Sequence, residues 1–490
     1  MQFASPAYLG FVAVAVAVYF ALPWIRARNA WLLLASYAFY WSIAGRWTGV
    51  LLSVTVLGYV FGLLVGRAPA RSRAARAWLA TGIVLTVATL AFFKYGGITA
   101  GLLDSVWELA GARGPALELL LPVGISFWTF MTVGYLVDVY RGDAAPTRDP
   151  LAHALFVGFF GHVTAGPIGR AGQLLGQLAE KRRFGYEAMR TGLLLMLLGF
   201  FRKLVIADPL GVVVDAVYKD PHRYGAQPIV ITLATLAFAL QIYFDFSGYT
   251  DIVRGTAKLF GIDLLPNFDR PYFSASVKEF WRRWHMSLMG WFKDYLYIPL
   301  GGSRRGRLRR YGNILIVFLV SGVWHGAGWT FVAWGLLNAA YQIAGELLAP
   351  ARDRVAGLVG LSDGGAVRRV LAILTTFALT TGAWVLFRSE TLADARYIVG
   401  KIVRPELTGE TLSTLLSLGL TAEQLAVASG AAALVLALEA LSFRVDLGAW
   451  LASRVLPLRW ALYQAALLAV VIFGYYGPVY DAAAFAYFKF

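Results

Sequence analysis

The chain has no cysteine. Disulfides, thiolate-held metals and cysteine nucleophiles are therefore excluded. Charge is scarce as well. Asp, Glu, Lys and Arg make up 15% of the 490 residues, where a soluble globular domain carries about 25%. Acidic residues are the scarcer sign, 28 against 44 basic ones. Histidine occurs only five times, as His153, His162, His222, His285 and His325. Recognisable catalytic motifs are missing too: the sequence shows no phosphate-cradling P-loop, no zinc-protease helix and no serine-hydrolase elbow. No metal site is expected. The sequence also lacks a repeat of fixed period, a low-complexity tract and a domain boundary, so a single domain over residues 1–490 is expected.

What is abundant is apolar surface. Hydrophobic residues make up 59% of the chain, too many for a soluble exterior to cover. Crossing a bilayer takes roughly 20 apolar residues in a helix, and such runs recur along the chain. Spans are expected at 7–22, 30–44, 50–65, 78–93, 121–139, 191–206, 229–244, 314–324, 329–348, 370–387, 425–441 and 460–476. The expected fold is all-α and polytopic, with eleven to thirteen membrane segments. The run 154–168 is short and ends at Gly166-Pro167. It reads as re-entrant, a conformation tolerated only when buried in protein or lining a water-filled cavity.

The net charge of +16 would suggest nucleic acid if a soluble domain presented it, and none does; no nucleic-acid partner is expected. The basic residues sit in short loops instead, as the positive-inside rule requires. Arg26 and Arg28 follow the first apolar run and no Lys or Arg precedes it. That pattern argues against a cleaved signal peptide and predicts an N-terminus outside the cytoplasm. Arg67, Arg71, Arg73 and Arg76 place the third loop inside, and Asp104, Glu108 and Glu118 place 102–118 outside.

An ionisable group at membrane depth is a functional candidate by default, because burying it is costly. His222 lies in a polar loop and is bland. His325 sits in Ser321-Gly322-Val323-Trp324-His325-Gly326-Ala327-Gly328. A neutral imidazole suits general-base work, and glycine lets a ligand or a backbone approach closely. The bland reading is a structural histidine with glycines serving helix packing. His285 lies in Trp281-Arg282-Arg283-Trp284-His285. If 274–300 is helical, Trp281, Trp284, His285, Leu288, Trp291, Phe292 and Tyr295 share one face, and Lys278, Glu279, Arg282, Arg283, Lys293 and Asp294 fall mostly on the other. This is the pattern of an interfacial amphipathic helix. Asp245 and Asp251 end an apolar run, where they either pair with basic residues or face substrate; buried acids usually need a partner. The arginine run 304–310 is a topology signal, and its second reading is an anchor for donor phosphates or an acidic carrier protein.

Five blocks together resemble the membrane-bound O-acyltransferase family: Leu121 to Phe127; Ala165-Gly166-Pro167-Ile168; Gln241 to Thr250; Phe280 to Leu288 followed by Asp294 to Gly302; and Gly322-Val323-Trp324-His325-Gly326. The resemblance is strongest to the bacterial branch that holds the alginate O-acetylation membrane subunit and the teichoic-acid D-alanyl exporter. It runs to about residue 341, with additional C-terminal spans at 370–478. It implies a ring of tilted helices around a transmembrane funnel, with His325 catalytic and His285 beside it at the narrow middle. Trp284, Trp324, Arg282, Arg283, Ser321 and Asp245 are then expected around substrate and donor. No bound cofactor is implied; the donor is a cytoplasmic thioester, acetyl-CoA above all. The implied setting is the inner membrane, among lipids, with an extracytoplasmic partner that acetylates an exported polysaccharide. Transfer of D-alanine from a carrier protein is the alternative within the family. Outside it stand a transporter or flippase, which would show paired half-helices in two related halves, and a catalytically dead scaffold. No such symmetry is visible, and both histidines are present.

Overall fold

The computed structural model describes residues 3–96, 121–361, 364–406 and 411–476. The segment 102–118, expected outside the membrane, lies beyond the described residues. Regular structure among the described residues is helical, with one isolated β-bridge between Phe268 and Trp284. Six stretches are long and apolar enough to cross a membrane: Ile25–Arg67, Arg73–Lys94, Pro228–Leu259, Ala366–Arg388, Ala422–Leu441 and Leu456–Phe473. The chain is thus an all-α, multi-pass membrane protein. Six is fewer than the eleven to thirteen expected from apolar runs. Several of those runs form shorter or more polar helices. Ile125–Arg141 has 17 residues, and Arg307–His325 carries three arginines in its first turn.

The chain packs as two compact units. The first comprises Met1–Leu193 and Val253–Leu265. Its helix Pro6–Ala21 begins where Ser5 accepts a hydrogen bond from the Tyr8 amide at 3.3 Å, a standard N-cap. The guanidinium of Arg28, read above only as a topology signal, closes the other end. It donates to the carbonyls of Leu22 at 2.7 Å and Phe20 at 3.3 Å. The run 154–168 is broken earlier than its Gly-Pro suggested, because helix Pro150–Gly158 stops at Gly158. Residues 159–168 continue without a helix and are all buried. Their polar groups are met inside the protein: the Phe160 amide by Ser36 Oγ at 3.1 Å, the Gly166 amide by the His162 carbonyl at 3.0 Å. This is the condition under which irregular backbone is stable at membrane depth. His162 Nε2 lies 3.0 Å from the Phe156 carbonyl, and His153 packs between Tyr135 and Tyr59. His162 lies in this buried stretch and His153 in the helix before it, and both are buried.

The second unit comprises Leu194–Ile252 and Pro266–Phe490. Helix Tyr186–Phe200 passes into a π-helical turn, Phe201–Ala207. It crosses helix Pro228–Leu259 at Gly199 and Gly248. A Cβ on Gly199 would lie 2.5 Å from the Gly248 carbonyl oxygen, so only glycine permits this approach. The crossing brings Arg202 and Lys203 against the acids of the longer helix. Lys203 is 1% exposed and its Nζ lies 2.6 Å from Asp245 and 2.7 Å from Asp208. Arg202 spans Asp251 at 2.5 Å and Glu439 at 2.9 Å, and Tyr243 donates to Glu439 at 2.6 Å. Glu439 belongs to helix Ala422–Leu441, so the last third of the chain, legible only as hydrophobic, is tied into this core by charge.

Helices Arg307–His325 and Trp329–Leu347 form a hairpin. A Cβ on Gly322 would lie 2.4 Å from the Phe331 carbonyl oxygen, and one on Gly335 2.3 Å from that of Phe318. The glycine before His325 is therefore filled by backbone, the helix-packing role. Gly322→Ala is expected to destabilise the protein by about 1–3 kcal/mol through overpacking, seen as a lower thermal unfolding midpoint in detergent.

Candidate active site

Both candidate histidines lie in the second unit. The segment expected as one amphipathic helix is three pieces: Val277–Arg283, Met286–Phe292 and a π-helical turn Lys293–Tyr297. The break falls at His285, whose φ of 45 and ψ of 52 are left-handed. The cause is a neighbouring strand of chain. Phe268 pairs with Trp284, the Asp269 amide donates to the Arg283 carbonyl at 3.0 Å, and the Met286 amide donates to the Asn267 carbonyl at 2.9 Å. A non-glycine residue held there costs of order 1–3 kcal/mol, and such strain clusters at functional sites. The sidedness read from the sequence survives the break. Trp281, Trp284, Leu288, Trp291 and Phe292 are buried, and Lys278, Arg282 and Lys293 are exposed.

His285 is 1% exposed. Its ring meets Phe246 edge-on at 4.8 Å and Trp324 at 6.5 Å between centroids. His325 is the last residue of its helix and 8% exposed. Its ring centroid lies 4.6 Å from Trp324, 5.1 Å from Trp334 and 5.1 Å from Phe387. One indole, Trp324, therefore neighbours both imidazoles, at 4.6 and 6.5 Å between centroids, and these arrive from separate elements 40 residues apart in sequence (325 − 285). Ser321 lies one turn before His325 and is buried.

The remaining expected site residues divide. Arg282 lines an open cavity of about 1200 Å³ together with Lys278, Lys293 and Arg310. Met286 and Met289, beside His285, form part of its wall. Arg283 does not line it. It pairs with Glu279 at 2.8 Å and lies over Phe443. Trp284 is packed against Phe280, Phe268 and Trp384, as a wall of the aromatic core. Asp245 is paired with Lys203, the partner reading that the sequence left open. A second cavity, of about 500 Å³, opens at the tip of the hairpin. Phe387 lines it and also contacts the His325 ring. Asp215, Lys219, Arg388 and Glu390 supply its polar groups.

Sequence reasoning missed three features. The first is the pair Arg202-Lys203, whose signal was present as two cations inside the apolar run 191–206. The second is Phe387 with Trp384, in the C-terminal third and without any sequence mark. The third is Asn267 at the His285 turn.

Two buried histidines thus neighbour one indole in a multi-pass membrane protein; neither lines either cavity, while Met286 beside the one and Phe387 against the other do. The sequence model of the MBOAT, membrane-bound O-acyltransferase family matches residues 147–356. A probable alginate O-acetylase of Azotobacter vinelandii is 36% identical over 398 residues, 80% of this chain and 76% of that one. A peptidoglycan O-acetyltransferase of Helicobacter pylori is 33% identical over 76% of this chain and 73% of its own. A teichoic acid D-alanyltransferase of Bacillus subtilis is 28% identical over 51% of this chain and 66% of its own. The chain belongs to the membrane-bound O-acyltransferase family and is an O-acyltransferase of the membrane.

Proposed function

We propose that this protein takes an acetyl group from a cytoplasmic thioester, acetyl-CoA, and delivers it across the inner membrane for O-acetylation of an exported polysaccharide. The observation that carries this reading is the pair His285 and His325 held about Trp324. His325 acts as general base on an acceptor hydroxyl. The alkoxide oxygen attacks the thioester carbonyl, the carbon–sulfur bond breaks, and the thiolate takes the proton back from the imidazolium. His285 orients the thioester and polarises its carbonyl oxygen.

The two cavities fit the two substrates. The larger is lined by Lys278, Arg282, Lys293, Arg310, Arg352 and Arg368 against one acid, Glu346, which pairs with Arg310; the surplus of donors suits the phosphates of coenzyme A. The smaller mixes carboxylates, cations and Thr330 beside Phe387. Carboxylates accept and cations donate hydrogen bonds, and a polyhydroxyl acceptor does both. The acceptor is either the polysaccharide itself or an extracytoplasmic partner that passes the acetyl group on. The basic residues around the larger cavity face the cytoplasm and the N-terminus lies outside. Acetyl transfer is favoured over D-alanyl transfer because the two acetylating relatives align over 80% and 76% of the chain, the D-alanylating one over 51%.

The test is a donor titration. Arg282→Ala with Lys293→Ala raises KM for acetyl-CoA about tenfold, as expected when roughly 1.4 kcal/mol of charge attraction is lost, and leaves kcat near the wild-type value. The wild-type KM rises more steeply with salt than the variant's, because Lys278 and Arg310 remain in the lining. An unchanged KM in the double variant contradicts the donor assignment.

A further inference from the structure

We propose that Asn267 is the positioning residue for His285. The proposal rests on the reading that His285 touches the reacting thioester, and it adds how that imidazole is aimed.

His285 is the N-cap of helix Met286–Phe292, yet its own side chain makes no capping bond. The first amides of a helix need acceptors, and an N-cap side chain normally supplies one. Here Asn267 supplies them from a different stretch of chain. Its carbonyl accepts from the Met286 amide at 2.9 Å. Its side-chain Oδ1 accepts from the Ser287 amide at 3.3 Å and from the Ser287 hydroxyl at 2.6 Å. The capping duty that would bind the residue at 285 to its own helix is carried elsewhere, so that residue can be a histidine turned toward the reactants.

The same amide fixes the direction. Asn267 Nδ2 donates to Thr250 Oγ1 at 3.4 Å. Thr250 lies one turn beyond Phe246 on helix Pro228–Leu259, and Phe246 is the ring set edge-on against His285. Asn267, fully buried, thus brackets the left-handed turn on one side and the helix that packs on its imidazole on the other. A primary amide is the group this bracket needs. Oδ1 takes two donors while Nδ2 gives one. A carboxylate keeps the first function and loses the second.

The experiment measures thiol release from acetyl-CoA by purified full-length protein with a polyhydroxyl acceptor in excess, with unfolding midpoints in parallel. Asn267→Ala is expected to lower kcat at least tenfold with KM for acetyl-CoA within twofold, since the basic cavity is untouched. Asn267→Asp, which keeps the acceptor and loses the bond donated to Thr250, falls between Asn267→Ala and wild type. Ser287→Ala, which removes one of the three bonds, lowers kcat two- to fourfold and serves should Asn267→Ala fail to fold. The decisive arm is a double-mutant cycle. In a His285→Ala background, Asn267→Ala (or Ser287→Ala) has no further effect on kcat, because it acts through that imidazole. An equal fold-loss in both backgrounds overturns the proposal and leaves Asn267 as a structural cap. A folded Asn267→Ala or Ser287→Ala protein with wild-type kcat overturns it as well. A His285→Ala protein as active as wild type overturns the role of His285, and this proposal with it, whereas His325→Ala tests the acyl-transfer reading separately.

Discussion

His325→Ala is expected to lower thiol release from acetyl-CoA by about 10²–10⁴-fold, the contribution of a positioned general base, while the protein remains folded. The fold should survive because the ring is held by aromatic contacts with Trp324, Trp334 and Phe387, and its loss trims one edge of that cluster. The hairpin that carries it is fixed independently, by the close approach at Gly322 and Gly335. His325→Gln, which keeps a polar side chain of similar reach but does not take up a proton in the working pH range, should be nearly as inactive. If His325→Gln retained more than a tenth of the activity, the ring would be serving as a hydrogen-bonding wall and not as a base.

Lys203→Met carries the second large effect, and it falls on stability. Lys203 is the buried partner of both Asp208 and Asp245. Removing it takes away the ammonium that lies within 2.7 Å of both carboxylates. Breaking a buried pair from one side costs about 3–5 kcal/mol, a large share of the roughly 5–15 kcal/mol that holds a typical domain together. The expected result is a several-fold loss of monodisperse protein on size exclusion and a clearly lower unfolding midpoint. Asp245→Asn should be milder, because Asp208 still pairs with the ammonium. Its folded fraction should keep the wild-type KM for acetyl-CoA, which separates an ion-pairing role from the substrate contact expected from the sequence. A raised KM in folded Asp245→Asn protein would restore that contact.

Much of this was legible in the chain, for physical reasons. Seven of the twelve expected spans fall on the six membrane-length stretches, since a bilayer admits little but apolar helix; the other runs form shorter or more polar helices, a distinction that apolar content alone does not draw. The inward face of 281–292 followed from periodicity, and burial at Trp281, Trp284, Leu288 and Trp291 agrees. The break at His285 was illegible, because the pattern 281, 284, 288, 291 is that of a continuous helix. The break is imposed by Asn267 to Asp269, which lie in a loop with no periodicity of their own. Arg202-Lys203 could have been read, for two cations in an apolar run demand acids elsewhere, and Asp245 and Asp251 were in view. Phe387 could not, because nothing in an apolar C-terminal helix marks which of its rings will reach a histidine 62 positions earlier (387 − 325). The glycines about His325 carried two readings, and the close approach of Phe331 to Gly322 favours packing there.

The most direct test of acyl transfer at the His285–His325 pair is to follow label and thiol together. Protein reconstituted in vesicles receives acetyl-labelled acetyl-CoA in one compartment and a polyhydroxyl acceptor in the other. Wild-type protein is expected to release one free thiol for each labelled acetyl group found on the acceptor, and His325→Ala protein, equally folded, to release neither above background. Labelled acetyl-CoA crossing intact without thiol release, or equal turnover in the two proteins, would contradict acyl transfer at this pair.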